Sequence, residues 1–181
     1  MAIFSRKRPE EEAHALYSVV INQARQAFLF NDFSVPDTLD GRFDMISLHI
    51  FLVLRRLKAE ADRTADLAQC LFDTMFADMD RSLREMGAGD LGVGRRVKVM
   101  ATAFYGRLSA YEKAMANGVF DALAEAILRN VFREDEAMRQ DAKRISKYTN
   151  WIANALSEYP VDDLLKGRLT FPNTISLDEF K

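Results

Sequence analysis

The sequence predicts an all-α protein, a single compact bundle of about six main helices. Apolar residues recur at helical spacing almost from end to end, and no stretch alternates with β-branched residues as a half-buried strand would. No internal repeat or long linker divides the 181 residues, a length sufficient to bury one ordinary hydrophobic core. The bundle is read as residues 10–167, preceded by a flexible basic segment, 1–9. A loosely held tail, 168–181, follows, where Pro172 interrupts a stretch without clear period.

The first helix, about Glu10 to Phe30, places Ala13, Leu16, Tyr17, Val20, Ala24, Ala27 and Phe28 on one side. A loop with Pro36 and Gly41 separates it from the second, about Asp44 to Ala61. Ile46, Leu48, Ile50, Phe51, Val53, Leu54 and Leu57 make that helix apolar nearly all round, which predicts the central position in the bundle. The third, about Thr64 to Met86, carries a broad stripe through Leu71, Phe72, Met75, Phe76, Met79 and Leu83, and stops at Gly87, a C-cap signal. The fourth, about Arg95 to Asn117, turns Val97, Met100, Phe104, Leu108 and Tyr111 toward a core, and Asn117-Gly118 breaks it. The fifth, Val119 to Phe132, aligns Phe120, Leu123, Ile127 and Val131 opposite Asp121, Glu125 and Arg129. The sixth, about Glu134 to Glu158, aligns Met138, Ala142, Ile145, Ile152 and Leu156 before Tyr159-Pro160. One further turn over Val161 to Lys166 precedes Gly167.

Composition narrows the functions. A formal net charge of −2 gives no general attraction to nucleic acid, so no specific nucleic-acid partner is expected. Cys70, the single cysteine, lies in a helical pattern and reads as a small buried hydrophobe. His14 and His49 form no metal-ligand or triad pattern, so neither a metal nor a cofactor nor a catalytic group is expected. His49, inside the apolar second helix, reads as a hydrogen-bonded core histidine. Asp73, Asp78 and Asp80 on the third helix raise one alternative, a magnesium-dependent all-α enzyme acting on an isoprenoid or phosphorylated substrate. Pairing of Asp78 with Arg81 and of Asp80 with Arg84 at helical spacing favours a solvated face instead. No secretory signal or membrane span is visible, which predicts a cytoplasmic protein. Phe4 with Arg6, Lys7 and Arg8 offers a reversible contact with an anionic membrane, hence a peripheral place at the inner membrane.

Two features of the fourth helix suggest a binding surface. Gly106, Ala110 and Ala114 recur every four residues; a glycine inside a helix costs about 1 kcal/mol relative to alanine, so its presence predicts the close approach of another backbone. That backbone is either the chain's own or a client's. Gly87, Gly89 and Gly92 match a dinucleotide-binding string, but a helix rather than a strand precedes them, and a flexible connection is the better reading. Immediately after it Arg95, Arg96 and Lys98 occupy the first turn of the predicted helix, where the dipole disfavours positive charge; they read either as a dock for an acidic partner, phosphate or lipid headgroup or as a solvated cationic turn neutralised by Asp90.

The segments Leu48-His-Ile-Phe-Leu-Val-Leu-Arg-Arg-Leu57, Phe104-Tyr-Gly-Arg-Leu-Ser-Ala-Tyr-Glu112 and Leu123-Ala-Glu-Ala-Ile-Leu-Arg-Asn-Val-Phe132, with the late Tyr148, resemble the ubiquinol-cytochrome c chaperone family. The resemblance runs from the first helix to Leu156. It implies a non-enzymatic α-helical assembly factor for the complex that passes electrons from ubiquinol to cytochrome c, acting on newly made cytochrome b or another subunit of that complex. Mitochondrial relatives work with a small helical partner protein and near the ribosome; this chain, without a transit peptide, reads as a bacterial, cytoplasmic-side member. The family supplies no catalytic motif. The client-binding residues expected are Tyr105, Gly106, Arg107, Ala110 and Tyr111 along an apolar groove, with Arg95 and Arg96 at its mouth.

Overall fold

The computed structural model describes residues 9–87, 89–116, 121–173 and 180, with Asp90 and Leu91 as backbone only. Among the described residues there is no strand, and the helices are α1 (Glu10–Ala24), α2 (Ala27–Asn31), α3 (Leu39–Lys58), α4 (Ala61–Glu85), α5 (Asp90–Ala116), α6 (Ala122–Val131), α7 (Arg139–Ser157) and α8 (Val161–Leu164). A short 3-10 turn, Glu136–Met138, leads into α7.

The most apolar helix sits at the centre, as the sequence predicts. α3 packs against α1, α4, α5, α6 and α7, and its buried residues fall on every side of it. It begins five residues earlier than the hydrophobic pattern suggests. Thr38 caps it by accepting the Gly41 N–H at 3.1 Å, and a Cβ on Gly41 would lie 1.9 Å from the Pro36 carbonyl oxygen. Glycine there lets the incoming chain cross directly over the first turn.

The predicted first helix is broken. α1 ends at Ala24, Gln26 is extended (ψ 132°), and α2 restarts at Ala27 in a new direction. No proline or glycine marks this break; tertiary packing drives it. Phe28 and Phe33 meet edge to face at 5.4 Å, and both pack on Tyr148 of α7, at 5.6 and 6.1 Å. A straight helix would carry Phe28 and Leu29 past that cluster. α4 closes at Gly87 in the left-handed region (φ 83°), as the C-cap signal predicts. Within the predicted tail, Leu169, Phe171 and Phe180 are buried. Phe180 packs against Phe33, Tyr148 and Trp151, and Phe171 against His49.

Among the described residues no helix is long and apolar enough to cross a membrane. Phe4, Arg6, Lys7 and Arg8, expected at a membrane, lie outside the described residues.

Candidate functional site

α5 carries most of the predicted site, and its start corrects the sequence reading. The helix begins at Asp90, so Gly92 and Gly94 lie within it and Arg95, Arg96 and Lys98 fall beyond its first turn. The argument that they oppose a bare helix start therefore lapses. All three side chains remain exposed, and no ion pair among the described residues engages them.

The Phe104-Tyr-Gly-Arg segment divides between core and surface. Phe104 and Tyr111 are completely buried, and the Arg107 side chain is only 11% exposed. Arg107 lies 2.5 Å from one carboxylate oxygen of Asp44, on α3, while Arg133 lies 3.0 Å from the other. Asp44 itself has no exposure to solvent, and burial holds its carboxyl above the usual range in spite of the two guanidinium groups. The Arg107 guanidinium also stands 5.2 Å from the centre of the Phe43 ring. Tyr111 packs its ring 5.6 Å from Phe51, and burial, then the Asp44 charge, raises its phenol far above the ordinary value. Arg133 and Glu134 both take positive φ, 55° and 65°, in the connection after α6. One buried carboxylate thus fastens the start of α3 to the middle of α5 and to the α6–α7 connection.

Arg107 and Tyr111 point inward and cannot touch a client lying on the outside. What faces outward is narrower. Tyr105 is 58% exposed, its ring 5.5 Å from Phe72 of α4, and Val99 is 63% exposed. Gly106 is exposed, and a Cβ built there meets nothing within 4 Å, so no other part of the chain packs closely at this point. The small-residue stripe then turns inward, through half-buried Ala110 to buried Ala114.

A cleft of about 330 Å³ lies where α3 begins and α4 ends, and α5 contributes Met100 to it. Leu39, Phe43, Met79, Met86 and Met100 give it an apolar lining, and Leu39 and Met86 are 47% and 56% exposed. Unbranched thioether side chains adapt to irregular apolar partners at low cost. Arg96 lies one turn before Met100 on α5 and is exposed. The sequence reading missed this lining. Met79 and Met86 end the α4 stripe read as core, and the signal available was the run of methionines at the open end of that stripe.

The aspartates of α4, the third helix of the sequence reading, are engaged in ordinary contacts. Asp80 pairs with Arg84 at 2.6 Å, and Asp73 accepts from Gln69 at 2.8 Å. Asp78 departs from the expected pairing with Arg81, for it accepts the Tyr17 hydroxyl at 2.9 Å and so ties α4 to α1. Among the described residues no three His, Cys, Asp or Glu side chains converge as a metal site would require. His49 is a core residue: Nδ1–H donates to the Met45 carbonyl at 2.7 Å, and Nε2 accepts from the Tyr148 hydroxyl at 2.8 Å. The Met45 carbonyl can only accept, which puts the ring proton on Nδ1, and Gln23 donates to the Tyr148 hydroxyl at 2.9 Å. Burial lowers the His49 pKa to about 4.

The fold and the site together define an all-helical bundle with an open apolar cleft and, among the described residues, no converging metal cluster. The comparisons name the family. The model described as "Ubiquinol-cytochrome C chaperone" matches residues 31–171, and the chain belongs to that family. It is similar to the ubiquinol-cytochrome c reductase complex assembly factor 1 of Drosophila melanogaster, 25% identical over 89% of this chain and 64% of the relative. The Xenopus laevis protein of that name is 21% identical over 83% of this chain and 74% of its own length. The chain thus spans under two thirds of the fruit-fly relative. The crystal structure of the Cbp3 homolog from Brucella abortus superposes with a TM-score of 0.81 at 37% identity, covering 96% of this chain and 93% of that one.

Proposed function

We propose that this chain is a non-enzymatic assembly factor for ubiquinol-cytochrome c reductase, sheltering an apolar helical segment of newly made cytochrome b on the cytoplasmic side of the inner membrane. The observation that carries the reading is the methionine-lined cleft beside an open helix face. Family membership and the names of the relatives support the choice of complex.

The mechanism follows from the surface. Client side chains at helical spacing insert between Leu39, Met79, Met86 and Met100, which repack around whatever shape arrives. The bare backbone at Gly106 lets the client helix approach α5 closely, and Tyr105 flanks it. Arg95 and Arg96 meet the polar end of the segment. Nothing in this sequence of events forms or breaks a covalent bond, and the client leaves when haem and neighbouring subunits bury the same apolar surface.

Leu39→Glu with Met86→Glu tests the reading. Both side chains are about half exposed, so the fold tolerates the change while the cleft loses its apolar mouth. In a strain lacking the native gene, the variant is expected to accumulate normally but fail to restore the assembled reductase. Full restoration would overturn the proposal.

A further inference from the structure

We infer that the outward face of α5, along Arg95, Arg96, Lys98, Val99 and Tyr105, is a docking surface for an anionic lipid bilayer; it is distinct from the methionine-lined cleft and borders the client segment of the proposed function. The chain carries a net charge of −2, yet residues 91–111 contain Arg95, Arg96, Lys98 and Arg107 and no Asp or Glu. Arg107 is consumed by Asp44 in the core. The other three are exposed, outside any ion pair among the described residues, and lie within one turn of one another. A cationic patch of this density on a net acidic chain is a local field that an anionic partner complements.

One observation favours a bilayer over an acidic protein segment. Val99 and Tyr105, two of the four large hydrophobic residues described as exposed, accompany the cations on α5. Tyrosine is at home at the headgroup level, where its ring is sheltered and its hydroxyl is wet. Past Val99 the outward face continues through Thr102, Gly106 and Ser109, none of them acidic. Each basic residue near an anionic surface contributes about fivefold in affinity, so three contribute roughly a hundredfold.

Flotation of the full chain with phosphatidylglycerol-containing vesicles, beside vesicles of phosphatidylcholine alone, tests this. The chain should float with the anionic vesicles only and detach as salt is raised. Arg95→Glu, Arg96→Glu and Lys98→Glu together should lower the affinity roughly a hundredfold with an unchanged melting curve. Val99→Asp with Tyr105→Ser should weaken it less. Substituting Arg6, Lys7 and Arg8 by serine controls for the other basic cluster, and a loss confined to that variant would overturn the inference. So would equal binding to neutral vesicles, or binding to a single-stranded RNA with the same charge dependence and no flotation. No client is present, so the result stands or falls independently of the cleft; Leu39→Glu with Met86→Glu should float like the parent chain.

Discussion

Replacing Arg107 with leucine should destabilise the fold by about 3 kcal/mol near neutral pH, because it leaves the buried Asp44 carboxylate with one partner instead of two. The remaining partner, Arg133, is half exposed, so it offsets desolvation poorly. Asp44 already titrates above the usual carboxylate range, pushed up by burial and held down by Arg107 and then Arg133. A raised folded pKa means that the folded state holds the proton more tightly than the unfolded state does. Stability from this group is full below the unfolded value and is lost as pH rises through the folded one. Without Arg107 the folded value climbs further, and the loss should be smaller at mildly acidic pH than at neutral pH. For a chain of this size about 3 kcal/mol corresponds to a fall of roughly 6 to 12 °C in Tm. Urea unfolding followed by circular dichroism at several pH values measures both the size and the slope. Arg107→Leu combined with Asp44→Asn should recover much of the loss, since the uncompensated charge is gone. A pH-independent cost below about 1 kcal/mol, or no recovery in the double variant, would refute the claim that Asp44 is held by this pair.

Other outcomes follow from the same geometry. His49, neutral in the core with a pKa lowered to about 4, should make the fold lose stability as pH falls from about 6.5 toward 4; His49→Gln should flatten that slope in denaturant titrations. Tyr148→Phe should cost about 1 to 3 kcal/mol, because it removes the donor to His49 and the acceptor of Gln23 together. Gly41→Ala should be more damaging than a loop substitution ordinarily is, since its Cβ would meet the Pro36 carbonyl at 1.9 Å; thermal unfolding reads this directly. Gly106→Leu should leave stability unchanged or raise it by several tenths of a kcal/mol, as the site is open and leucine favours helix. The same variant should fail to support assembly of the reductase if a client helix lies against Gly106, and normal assembly would remove that helix from the account.

The helices and the central place of α3 could be read from the sequence because both depend on local periodicity. Ile46, Leu48, Ile50, Phe51 and Val53 leave no polar side for solvent, whatever the tertiary arrangement. The break at Gln26 was invisible because its cause, the Tyr148 ring against Phe28 and Phe33, lies more than a hundred residues away. The start of α5 was misplaced for the opposite reason. Glycine weakens a helix, so Gly92 and Gly94 read as loop, yet Val93 is completely buried and holds that turn in place. At the candidate site the family-like segment was found, but which of its side chains point outward was not. Arg107 reads as a surface cation until Asp44, in a different helix, is seen to be buried beneath it. Spacing along one helix fixes a face, and only the neighbouring helices decide whether that face is wet.

The most direct test of the central claim is site-specific photocrosslinking in growing cells, with the photoreactive residue placed at Met86, at Gly106 and, as a control, at exposed Glu158 on the far end of α7. The account predicts adducts with newly made cytochrome b at Met86 and Gly106, fading as the reductase assembles, and none at Glu158. Equal adducts at all three positions, or adducts with cytochrome b at Glu158 alone, would contradict it.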